Sequence, residues 1–179
     1  MFRTARRTCI GVALLALSWL PPASAQTPGA SPRVAFEGAL GAAAFTPGGR
    51  GGRIVRVTTL AAEGPGSLAE ALAASGPRMV VFEVGGVIDL GRRELKLVEP
   101  FVTIAGQTAP SPGISLIRGG LIIATHDVIV RHLRVRPGEA GLRKDAGLDF
   151  DAISTVGGAH DVIVDHCSLT WATDENLSA

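Results

Sequence analysis

The stretch DVIVRHLRVRPG, Asp127 to Gly138, is nearly restated as DVIVDHCSLTWA, Asp161 to Ala172. The first four letters are identical and both copies carry His at the sixth place, at a spacing of 34 residues. A weaker third version, FVTIAGQ at Phe101 to Gln107, sets Val102 26 residues before Val128. Repetition at such periods marks a solenoid, whose units cannot bury their apolar faces alone and do so against the next unit. Short strands stacked turn on turn make a parallel β-helix the expected fold. The unequal periods put the variation into the loops, chiefly an insertion from Pro137 to Phe150. Solenoid insertions gather on one face, commonly the binding face.

The rest of the pattern agrees. RIVRVTTL, Arg53 to Leu60, alternates as a strand does. In GSLAEALAASG, Ser67 with Glu70 three residues on is a capping box. Leu68, Ala71 and Leu72 form an apolar stripe, and Gly76 is the expected stop. This single short helix is expected to cap the N-terminal end of the solenoid. After it come the short apolar runs MVVFEV, VIDL, ELKLV, VTIAG, ISLI, LIIA, VIVRHLRVR, AISTV and VIVDHCSL, parted by turn residues. Parallel neighbours ordinarily need a crossover helix, and none is predicted here. The Asn-Gly and Asp-Gly signals of hairpins are absent as well. A composition with 4% aromatic residues, 23 Gly and 11 Pro suits a turn-rich β chain and not a helical bundle.

Residues 1–25 read as a secretory signal peptide: Arg3, Arg6 and Arg7, an apolar run from Ile10 to Leu20, then Ala23-Ser24-Ala25 as the cleavage site. The apolar run is short for a membrane span of about 20 residues. The Arg6-Arg7 pair leaves twin-arginine export open beside the general route. Cleavage after Ala25 removes three of 17 Lys+Arg and none of 16 Asp+Glu, leaving 14 against 16 and a net charge of −2. No basic patch points to nucleic acid, and no membrane contact is expected after cleavage. Residues 26–34 read as a loose leader and 35–179 as the folded domain. Cys9 leaves with the signal, so Cys167 stands alone, without an intrachain disulfide, as a buried structural thiol.

Acidic residues concentrate late. Seven of the 16 fall at Asp145, Asp149, Asp151, Asp161, Asp165, Asp174 and Glu175. In an extended segment Asp149 and Asp151 point to one side, because side chains alternate. Adjacent carboxylates repel unless a cation lies between them, and hard oxygen ligands suit Ca²⁺. A solvated polar loop explains the pair equally well; Asp174 and Glu175, about one coil later, would strengthen the cation reading.

GGRGG (Gly48 to Gly52), GPGSLAEAL, VVFEVGGVIDL, VTIAGQTAP, VIVRHLRVRPG and VIVDHCSLTWATDEN, in that order, resemble the pectate lyase family, polysaccharide lyase family 1. The resemblance runs from Ala35 to Ala179. It implies a right-handed parallel β-helix and Ca²⁺-assisted β-elimination of polygalacturonate, an acidic polysaccharide, by a secreted monomer. LDFDAIS is similar to the family's calcium-binding D-x-D segment, which makes Asp149 and Asp151 metal ligands, Asp151 foremost. Asp174 and Glu175 stand where the family's next-coil ligands lie. Its further acid, four residues on, meets Ser178 and Ala179 here. VIVDHC matches a motif whose Asp-His pair binds no calcium, so Asp165 and His166 are read as a structural hydrogen-bonded pair, with a catalytic His as the alternative.

The family's base resembles an unusually deprotonated Arg on a coil after that motif. The chain stops at Ala179, so the catalytic residue is not among these 179. Arg131, Arg134 and Arg136 precede the motif and read as surface or strand-edge residues. The expectation is an N-terminal fragment, inactive alone. A polysaccharide-binding or catalytically dead β-helix stays open, as does a β-helix polygalacturonate hydrolase using a carboxyl pair among Asp149, Asp151 and Asp174.

Overall fold

The computed structural model describes residues 33–139, 141 and 149–179, within the compact unit Pro32–Ala179. The signal peptide, the leader up to residue 32 and Asp145 lie outside the described residues. In chain order the elements are β1 (Arg53–Val57), α1 (Leu68–Ala73), β2 (Arg78–Phe82), β3 (Gly86–Asp89), β4 (Leu95–Leu97) and β5 (Val102–Ala105). A 3₁₀ turn, Gly106–Thr108, follows. Then come β6 (Ile114–Ile117), β7 (Leu121–Ile123), β8 (Val128–Arg131), β9 (Leu133–Arg136), β10 (Ile153–Thr155), β11 (Val162–Asp165), β12 (Ser168–Leu169) and β13 (Leu177–Ser178).

Three parallel sheets take one strand from each coil in turn: β1-β2-β5-β8-β11, β3-β6-β9-β12 and β4-β7-β10-β13. This is the stacked parallel β-helix that the repeat predicts. The repeat spacing is the register itself, since Val102 faces Val128 and Val128 faces Val162. Every coil therefore sets an apolar residue above an apolar residue. Ile104, Val130, Ile88, Leu116, Leu97 and Ile123 are fully buried in the shared core, each stabilising it by roughly 1.5–3 kcal/mol.

VIVRHLRVR and VIVDHCSL, read as single strands, are each two. They break at His132 (φ 55°) and His166 (φ 51°), where a left-handed residue turns the chain from the first sheet into the second. α1 begins as expected: Ser67 accepts from the Glu70 amide, while the Glu70 carboxylate reaches back to the Gly66 amide. It ends at Ala73, three residues before Gly76.

Arg78 supplies the stop. Its guanidinium, on a fully buried residue, donates to the carbonyls of Ala71, Leu72, Gly76, Glu99 and Pro100. It thus satisfies the orphan carbonyls of the last turn that a glycine cap would otherwise settle. A strap from Arg33 to Gly52 lies over the outer face of the first sheet. There the Gly49 amide donates to Thr103, and a Cβ at Gly49 would stand 1.8 Å from the Arg78 carbonyl. Only glycine permits that approach.

Candidate functional site

The segments that lead into β10 and β13 run side by side. Thr173 donates its amide to the Phe150 carbonyl, and Ala152 donates to Glu175. The Phe150 amide donates to the Thr173 hydroxyl, and Phe150 itself is buried. This zipper fixes the acids around it. Ile153 faces Leu177, so two residues earlier Asp151 and Glu175 share a rung. The Glu175 amide donates to Asp151 Oδ1 at 3.0 Å. Ligand oxygens of Asp151, Asp174 and Glu175 all lie within 4.8 Å of one another. The trio is half-buried at Asp151 and exposed at the other two.

Asp149 is exposed and stands outside that trio. Its partner in the period-2 reading lies one buried Phe away, and the register selects only Asp151. Glu94 stands outside the trio as well. In the register Leu95, Leu121, Ile153, the preceding residues are Glu94, Gly120 and Ala152, so Asp151 stands one position off the column of Glu94, two coils on. A Cβ at Gly120 would meet the Asp151 carbonyl at 1.9 Å. Burial, and then the Asp151 charge, push the Glu94 carboxyl above its ordinary value. Sequence reading passed over Glu94 because it sits two coils away, at the start of the ELKLV run.

A second constellation forms at the break between the first and second sheets. Asp165 Oδ2 takes the Nδ1 of His166 at 2.8 Å and the Nε of Arg131 at 2.6 Å. Burial alone would raise the Asp165 carboxyl, but the hydrogen bonds from His166 and Arg131 outweigh it and hold it below the usual carboxylate range. Arg131 also lies over the Phe36 ring at 3.9 Å, which ties the strap to β8. His132 and His166 stack at 4.9 Å. The expected Asp165–His166 hydrogen-bonded pair is thus present in the geometry, and sequence reading missed that His132 joins it. Cys167 points its half-buried thiol at the Val130 and Asp165 carbonyls, and burial pushes its pKa up, away from thiolate chemistry. Arg134 and Arg136 bind the neighbouring coils, at Ser115 and Ser168.

No helix among the described residues is long and apolar enough to cross a membrane. No protein-family model matches the chain. Over 146 residues it is 44% identical to the probable pectate lyase C of Aspergillus terreus and 42% identical to that of Emericella nidulans, a match covering 81% of this chain. It spans about a third of the length of these relatives, 33% and 32%. The crystal structure of jun a 1, the major allergen from cedar pollen, shares the fold at a TM-score of 0.62 and 23% identity, over 75% of this chain and 43% of that one. Over the matched span the chain is thus similar to these probable pectate lyases in sequence, and its stacked parallel sheets agree with a parallel β-helix.

Proposed function

We propose that this chain carries the calcium-binding part of a secreted lyase that cleaves polygalacturonate by β-elimination. The carrying observation is the carboxylate trio Asp151, Asp174 and Glu175, brought together by the β10–β13 register. The donor set fits Ca²⁺: all three offer hard oxygens, and like charges so close need a cation to relieve them.

Asp151, Asp174 and Glu175 would hold the ion, with the Glu94 carboxyl, two coils away, near enough to feel the Asp151 charge. Bound there, Ca²⁺ supplies positive charge that anchors the uronate carboxylate and takes up charge as the proton alpha to it leaves. The zipper at Phe150 and Thr173 keeps the carboxylates at fixed separation, so that little ordering is left to be done on binding. Asp165 and His166, at the other sheet, serve to lock adjacent coils. Export rests on residues 1–25, with cleavage after Ala25, and N-terminal sequencing of the exported protein reads that cleavage directly.

Calorimetric titration of the full chain with Ca²⁺ tests the site. One ion per chain, weakened in Asp151→Asn, supports it; equal binding by both proteins rejects it. The reaction is tested by ultraviolet absorbance of the unsaturated product, on the gene product read through to its natural stop codon. Absorbance that grows with Ca²⁺ and stops with chelator is expected. Growth of reducing ends without that absorbance would establish hydrolysis instead.

A further inference from the structure

We propose that the groove between the strap and the outer face of the first sheet binds a small aromatic carboxylate. It goes beyond the lyase reading and does not depend on it. Side chains alternate along a strand, so Ile54, Met79, Thr103, Ile129 and Ile163 form one outward column across β1, β2, β5, β8 and β11. A face open to water would carry polar residues there, yet every member of the column except Thr103 is large and apolar. The strap covers only its middle. Ile129 is 3% exposed, while Met79 is 36% exposed. The strap can come so close because a Cβ at Gly48 would stand 2.6 Å from the Ile129 side chain.

What the strap leaves open is a groove of about 200 Å³ with Phe36, Pro47, Met79 and Ile129 on its walls. An apolar cavity of about 150 Å³ holds benzene, so this one has room for a single ring and a short polar group. A flat ring gains from edge contact with Phe36 and from the Met79 thioether. The polar groups converge on the same space. Arg131 spends its Nε on Asp165, and its guanidinium lies over Phe36 at 3.9 Å. No hydrogen bond engages its two terminal nitrogens, or the Gln107 amide, among the described residues. Both residues line the groove. Two terminal nitrogens of one guanidinium are the fork that a carboxylate meets with both oxygens.

The charge balance selects an anion. Asp165 answers Arg131 from outside the groove. Arg50, also on the groove wall, donates to the Val34 and Ala35 carbonyls and forms no ion pair among the described residues. No acidic residue lines the groove, so one positive charge is left unanswered there. A uronic acid fits poorly, since its ring hydroxyls would meet apolar walls, with only Gln107 and Thr103 to receive them, and the Thr103 oxygen already accepts from the Gly49 amide.

The chain carries its own reporter. Its two methionines are Met1 and Met79, so methyl labelling of methionine gives a nuclear magnetic resonance signal from the groove wall, identified by its loss in Met79→Leu. The full chain is titrated with cinnamate. A saturable shift of the Met79 methyl, with Met1 unmoved, is expected. Cinnamamide keeps the ring and lacks the charge, and should bind about tenfold more weakly, the worth of one charge-assisted contact. Galacturonate keeps the charge and lacks the ring, and should not displace cinnamate. Arg50→Gln should weaken cinnamate about tenfold, and Asp151→Asn should leave it unchanged. Circular dichroism confirms that Arg50→Gln is folded, and the comparison of ligands on the unaltered chain stands without any variant. Absence of a saturable Met79 shift, equal binding of cinnamamide, displacement by galacturonate, or full affinity in folded Arg50→Gln would each overturn the proposal.

Discussion

Arg131 and Asp165 share a rung on adjacent coils, and so do Asp151 and Glu175. On the first sheet the rung carries opposite charges, and they meet at 2.6 Å. On the third it carries like charges, left within 4.8 Å of each other with Asp174 beside them. A parallel β-helix stacks each residue on its counterpart one coil away, about 4.8 Å off. Apolar residues gain from that repetition. A charge repeated in the same rung does not, so it needs a partner: an opposite charge in the next coil, or polar groups and cations from elsewhere. The exchange of Arg131 for Asp165 between two otherwise matching copies gives the opposite charge; for the trio we propose a bound cation. Asp127 and Asp161 also share a rung, and there His126 and Thr46 occupy the Asp127 carboxylate.

Arg78 extends the contrast to a charge answered by no counter-charge in contact. Five backbone carbonyls hold it. Arg78→Met should cost at least about 3 kcal/mol in urea unfolding, because those carbonyls lose their donors and α1 loses its end. Next comes the first-sheet rung. Asp165→Arg should cost about 2 kcal/mol by leaving two guanidinium groups face to face, and the exchange variant Arg131→Asp with Asp165→Arg should recover a measurable part of it. If the exchange recovers nothing, the rung's charges are not what couples the coils.

The third-sheet rung should respond in the opposite sense. Asp151→Asn should lower Ca²⁺ affinity about tenfold, or about 1.4 kcal/mol, yet leave the metal-free chain no less stable, since it relieves repulsion. Chelator should lower the melting temperature of the unaltered chain and leave that of Asp151→Asn unmoved. The smallest effect belongs to Asp89 and Arg118, whose pair is exposed. The hydrogen bond from Arg118 holds the Asp89 carboxyl below its ordinary value. Its contribution is therefore present above the unfolded-state pKa and lost as pH falls through the lower folded one. Asp89→Asn should lower stability slightly at neutral pH and leave it unchanged at pH values below the folded-state titration, which flattens the acid limb of the unfolding curve.

The coil-to-coil register was legible from spacing alone, since Val102, Val128 and Val162 sit in the apolar rungs that the repeat predicts. The bends at His132 and His166 were not. A polar residue inside an apolar run looks like continued alternation, and its left-handed backbone is set by the turn between two sheets. At the acidic site the residue types were legible and the selection among them was not. Asp149 and Asp151 are equivalent by local alternation, and only the neighbouring coil distinguishes them. The Glu94 carboxyl feels the Asp151 charge across two coils, a relation that links positions 57 residues apart.

By itself, then, the sequence determined the stacking. Repeated apolar segments can bury their faces only against copies of themselves, and that fixes a parallel β-helix with its rungs in order. The tertiary structure decided which charges meet across those rungs. Electrostatic contacts of a few ångströms depend on loop length and backbone path, which the order of residues along one coil does not specify.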